Sequence, residues 1–189
     1  MKSLKHITTL HDLLRLGIDD MKRAKACGHT LNMGTWLDIE AEKLDDKGEP
    51  VEVERCAVCL AGSVLLWDVA EGRYDLCLID EYNPCSLEAA GGIDLATMGR
   101  LYALNSLRCG NVFSAYRAMF VNGETYGQLD GYSYENECAA ERLSKRYEFT
   151  GGDLSVTYFE SDDTPNDDRY ERFVADLEVL HDKLVEAGI

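Results

Sequence analysis

From Cys56 to Trp67 the chain reads CAVCLAGSVLLW, without one charged residue, in a protein that is 29% charged. Removing apolar surface from water stabilises a fold by about 25 cal/mol per Å², so this segment must form a wall of the core. Its first half is small: on a helix, Cys59, Gly62 and Ser63 share one face, and Ala57 and Ala61 form a second pair one turn apart. The pattern predicts a helix from about Cys56 to Ala70, closed by Gly72, whose small face lets another element or a flat ring approach closely. Val64, Leu65, Leu66 and Trp67 supply the bulk.

The spacing Cys56-x-x-Cys59 raises three chemical readings. A structural zinc site wants four ligands. Only one such pair is present, and Cys27 with His29 would complete the set at an uncommon spacing. A thioredoxin-like site places the pair after a strand within a βαβ unit and lowers a thiol pKa; no such unit surrounds these cysteines, and Glu52 and Glu54 oppose a thiolate. A haem attachment needs His after the second Cys, where Leu60 stands. The pair therefore reads as packing residues, and neither a metal nor another cofactor is expected. Seven cysteines in irregular positions fit buried thiols in a reducing compartment better than a disulfide framework.

A chain of 189 residues is long enough for one compact domain with a real core. No run approaches the roughly 18 apolar residues of a membrane span. The opening MKSLKHITTLHDLL carries charges within its apolar run, unlike a signal peptide, so the cytoplasm is the expected location.

Helical periodicity is plain in several segments. Thr9 and Asp12 form a capping box before Leu10, Leu13, Leu14, Ile18 and Met21, with a stop near Cys27-Gly28. Thr35 and Asp38 suggest a short helix over Trp36–Leu44, followed by the turn Asp46-Lys47-Gly48 in an acidic loop, 45–54. Asp94 caps a helix running to Cys109-Gly110, and Asn111 caps the next, so these two should pack as neighbours. Another helix is expected from Glu135 to about Arg146. Tyr74, Leu76 and Leu78 alternate like a short strand, and YEFTGGDLSVTYF reads as a hairpin around Gly151-Gly152. The final helix, about 165–187, carries Tyr170, Phe173, Val174, Leu177, Leu180, Leu184 and Val185 as its apolar stripe and ends at Gly188. The fold class is thus mainly α, about six helices with a small β-hairpin, in a single domain, 1–189.

The net charge of −16 is unevenly spread. Residues 1–35 hold six Lys/Arg against three Asp/Glu, whereas residues 151–189 hold three against eleven. Such a surface repels nucleic-acid phosphates and membrane surfaces and attracts basic ones. The acidic run ESDDTPNDD and the acids Glu171, Asp176, Glu178, Asp182 and Glu186 after it read either as a solvated face or as a docking surface. On the docking reading the partner-binding residues are Asp162, Asp163, Asp167, Asp168 and Glu171. His6, His11, His29 and His181 are scattered, and phosphate-loop, dinucleotide and nucleophile-elbow motifs are all lacking. No catalytic residue is assigned.

The element LNMGTW, followed some twenty residues later by CAVCLAG, resembles a group of small proteins encoded by tailed phages and prophages. These carry an N-M-x-x-W element and then a cysteine-containing segment ending in C-x-A-G. The match spans Leu31–Gly62, and many relatives have a longer gap between the cysteines that begins C-G-T. The resemblance implies a source, a tailed phage, and a context, the host cell cytoplasm, but no reaction. On physical grounds Met33 and Trp36 are the thioether and ring expected to lie on the small face of the cysteine segment. Charge and context together give the leading expectation: a non-enzymatic accessory protein that binds a basic host protein and alters its activity. A DNA mimic occupying a host nucleic-acid-binding site is one alternative. A small-molecule or nucleotide binder, with a pocket near Tyr126, Tyr132 and Tyr134, is another.

Overall fold

The uncharged segment divides at Cys59. In the computed structural model, which describes residues 4–32, 36–44, 46–48, 50–73, 93–122, 127–129, 131–146 and 167–189, Cys56 to Val58 close strand β3 (Pro50–Val58) and Leu60 opens helix α2 (Leu60–Ala70). Cys59 is extended, with φ −91° and ψ −171°, and caps the helix. Its Sγ accepts from Gly62 N at 3.5 Å, and its carbonyl accepts from the amide and the hydroxyl of Ser63, each at 2.8 Å. The helix expected from Cys56 thus starts one turn late, because Val58 is needed in the sheet on both sides.

β3 is the central strand. β1 (Thr30–Leu31) runs parallel to it, with Leu31 opposite Val58, and β2 (Leu37–Leu44) runs antiparallel, with Leu37 also opposite Val58. The helix expected over Trp36–Leu44 is therefore a strand. LDIEAEKL has ample helix propensity, but propensity differences amount to less than about 0.7 kcal/mol per residue. Pairing with the valine-rich β3 across the turn at Gly48 (φ +83°) outweighs them. The loop expected over 45–54 shortens correspondingly to that turn, and β2 with β3 forms a hairpin.

Three other helices start where their caps predict. The Thr9 hydroxyl accepts from Asp12 N at the head of α1 (Leu10–Ala26), and Asp94 accepts from Thr97 N at 2.7 Å for α3 (Leu95–Leu107). Asn111 accepts from Ser114 N at 3.0 Å for α4 (Val112–Phe120). A two-residue ribbon, β4 (Val121–Asn122) with β5 (Gly127–Gln128), leads towards α5 (Tyr134–Arg146), and α6 spans Asp167–Ala187. The expected strand at Tyr74–Leu78 and the hairpin around Gly151-Gly152 lie outside the described residues.

α2 is the axis of the core. Every residue from Leu60 to Asp68 is buried, with α1, α3 and the sheet packed around it. α3 and α4 are close neighbours, and α5 packs on α4, where Tyr116 Oη donates to Ser133 O at 2.9 Å and accepts from Ser133 N at 2.8 Å. Arg100, 7% exposed, ties the N-terminal turn Leu4–His6 to α3. Its guanidinium donates to Ile7 O at 2.6 and 2.9 Å and to Ala96 O at 2.7 Å. One continuous cluster of buried side chains runs from Leu4 through α1, α2, α3 and α4 to α6 and Ile189.

Trp36 departs from the expectation in an instructive way. The small face of α2 does receive residue 36, but it receives the backbone. The Trp36 carbonyl lies so close over Gly62 that a Cβ there would overlap it, and it accepts from Cys59 N at 3.3 Å. The indole ring is only partly buried and meets Tyr102 edge-on, with centroids 5.4 Å apart.

Candidate functional site: the acidic face of α6

α6 is amphipathic by period. Tyr170, Phe173, Val174, Leu177, Leu180 and Leu184 are buried, whereas Val185, expected in the same stripe, is 49% exposed. Among the described residues the element against which α6 packs is α1, and charge reinforces that seam. Glu178 turns onto α1, where Arg15 grips it with two bonds, 3.0 Å to Oε1 and 2.6 Å to Oε2, and Lys22 adds a third at 2.9 Å. The Arg15 bonds, then the Lys22 bond, hold the Glu178 carboxyl down at about 2 against its burial, and the Glu178 bonds in turn push the Arg15 guanidinium up. Lys25 Nζ sits 3.8 Å over the Tyr170 ring. At the far end His11 binds Ile189 O through its backbone amide at 3.2 Å and its Nδ1 at 2.7 Å, with the His181 ring edge-on to its own. His181 is not a solvated histidine: its ring is 15% exposed and its Nδ1 lies 3.2 Å from Arg15.

The basic N-terminal and acidic C-terminal segments therefore answer each other within the chain. Arg15 and Lys22 stand seven residues apart, two turns along one face of α1, and that spacing was the signal in the sequence for a cationic grip. Glu178 is committed to the seam with α1, although it stands at the edge of the outer face. Replacing it with Gln should cost about 1 kcal/mol, because the seam is partly exposed and water screens it. A depressed carboxyl stabilises the fold above its ordinary pKa and ceases to as pH falls through the depressed one. The parent should thus lose stability relative to Glu178→Gln between about pH 4.5 and 2, measured by urea unfolding in an acid series.

What α6 leaves to solvent is narrower than the composition suggests. At roughly 3.6 residues per turn, Glu171, Ala175, Asp182 and Glu186 fall in one band, flanked by Val179 and Val185, with Glu178 at its edge reaching across to Arg15 and Lys22. These two valines, 51% and 49% exposed, are with Tyr134 the large apolar side chains most open to water among the described residues. Lys183 pairs with Glu186 at 2.8 Å and Arg172 is exposed beside the band, so acids and bases are mixed there. Of the residues expected at the partner surface, Glu171 is exposed in the first turns of α6, and Asp167 and Asp168 are the first residues of that helix. Asp162 and Asp163 lie outside the described residues.

The other candidates resolve differently. Cys56 and Cys59 are both fully buried, and burial pushes the Cys59 thiol up, against thiolate chemistry. Cys56 N donates to His29 Nδ1 at 3.1 Å. Among the described residues no three His, Cys, Asp or Glu side chains are grouped to hold a metal ion. Tyr132 lies against Tyr116 and donates to Glu137 at 2.7 Å, which pushes its hydroxyl up to about 12, while Tyr134 is 71% exposed. Tyr126 is outside the described residues. No helix among the described residues is long and apolar enough to cross a membrane. No protein-family model, curated protein or solved structure matches the chain.

Proposed function

We propose that this chain is a non-enzymatic accessory protein of a tailed phage that docks on a basic surface of a host protein through the outer face of α6 and so modulates that protein. The observation that carries the reading is the band Glu171, Asp182 and Glu186 flanked by two half-exposed valines. A rigid helix offers a basic partner charge for steering and apolar area for affinity, the two contributions a specific interface combines. Bases within the same face favour a packed, mixed contact over imitation of a phosphate row, which calls for uninterrupted acids. The phage context rests on the LNMGTW and CAVCLAG elements.

The test is capture of a host partner by the parent and by the triple variant Glu171→Lys, Asp182→Lys, Glu186→Lys. Glu171 and Glu186 stand outside the α1 seam, and Asp182 touches it only through the field it adds at Arg15 and its contact with His181 at 3.3 Å, so melting should fall only slightly while capture is lost. Equal capture by the variant would reduce the band to a solvated face. Affinity should fall modestly with salt, since about 8 Å of screening at 0.15 M weakens exposed pairs but not apolar contact. A steep fall would favour the nucleic-acid mimic instead.

A further inference from the structure

Asp20, late in α1, is 4% exposed, and its Oδ2 has no hydrogen-bond partner. An ionised carboxylate in that position is expensive, because Oδ2 gains no hydrogen bond for the water it has lost. The charged groups facing it are Asp19 and Arg23 on α1, Asp68 near the end of α2, and Arg73 in the turn beyond. Arg73 is committed to Asp68 and Glu71, and the Arg23 guanidinium lies 3.8 Å over the Trp67 ring. Trp67 closes the seam between the two helices. Its Nε1 donates to the main-chain oxygen of Asp20 at 3.3 Å, and the His29 ring meets it edge-on.

We propose that Asp20 is a proton-operated latch on the seam between α1 and the C-terminal end of α2. With the proton on, a neutral carboxyl faces Asp68 and the seam closes over Trp67. With it off, two buried carboxylates face Arg23 and Arg73, which are already engaged with Trp67 and with Asp68 and Glu71, and the seam loosens. Burial first, with Asp68 and Asp19 adding to it and Arg23 and Arg73 opposing it, raises Asp20 to about 7; burial raises Asp68 as well, against Arg73. An acid whose folded pKa is raised favours the closed form below that pKa and disfavours it above. The latch is therefore closed in mildly acidic solution and opens as pH rises through about 7.

The chain has two tryptophans, so a full-length Trp36→Phe protein reports on Trp67 alone. Acrylamide quenching of its fluorescence between about pH 5.5 and 8.5 should rise with a midpoint at about 7. Adding Asp20→Asn should hold quenching at its low-pH level throughout, and adding Asp68→Asn should move the midpoint down by removing one repelling charge. Flat quenching in the Trp36→Phe protein would overturn the proposal. So would an unchanged transition in Asp20→Asn, which would assign the titration to His29. If Asp20→Asn does not fold, the Asp68→Asn midpoint decides: an unshifted one overturns the latch.

Discussion

Gly62→Ala should destabilise the protein by at least about 3 kcal/mol, near the upper end for overpacking and a large share of the 5–15 kcal/mol that holds a domain together. The sign makes the experiment decisive. In a helix interior, Ala is better than Gly by about 1 kcal/mol, so local propensity alone predicts a gain. The new Cβ would instead overlap the Trp36 carbonyl, which is backbone and has no rotamer to escape into, and it would break the contact of Cys59 N with that oxygen. Gly17→Ala is the control. Its Cβ would meet the ends of Leu104 and Leu60 at 2.8 and 3.1 Å, flexible groups that can shift, so the net change should stay within about 1 kcal/mol. Trp36→Ala should cost only about 1–2 kcal/mol, since the ring is partly exposed and the backbone contact survives; full burial would make the loss 3–5. Urea unfolding of the three variants measures all of this, and a Gly62→Ala protein as stable as the parent would refute the close approach.

Phe173→Ala should cost about 3–5 kcal/mol. The ring is fully buried in the stripe of α6 that faces the core, and α1 is the element α6 packs against. The cavity would fall in the seam that Arg15, Lys22 and Glu178 reinforce, so protection of α6 amides from hydrogen exchange should drop more than that of α2 or α3. Val179→Ala, on the outer face of the same helix, should change stability by no more than about 0.5 kcal/mol. Because Val179 flanks the proposed docking band, it should weaken partner capture while leaving the fold alone. A Phe173→Ala protein with parental stability would show that α6 does not depend on its apolar stripe.

Caps and stripes were legible because they are local. Thr9, Asp94 and Asn111 each satisfy amides three residues on, and the apolar residues of α6 recur at a helical period, so short windows of sequence suffice to place α1, α3, α4 and α6. The acidity of the C-terminal helix was equally legible, and with it the candidate Glu171. What the residues could not reveal alone is which acids remain available to a partner. Glu178 differs from Glu171 only in its neighbours, and its neighbours are Arg15 and Lys22, more than 150 residues away.

The other divergences share that cause. LDIEAEKL is a helix by propensity and a strand by pairing, because the long-range ladder to β3 outweighs a few tenths of a kcal/mol per residue. The uncharged segment announced itself as core from composition alone, and its small residues announced a close approach. Tertiary structure decided that Val58 would stay in a sheet, that Cys59 would become a cap, and that a peptide group would fill the space over Gly62 where a ring was expected. Composition determines that a surface is buried; only the packed neighbours determine what lies against it.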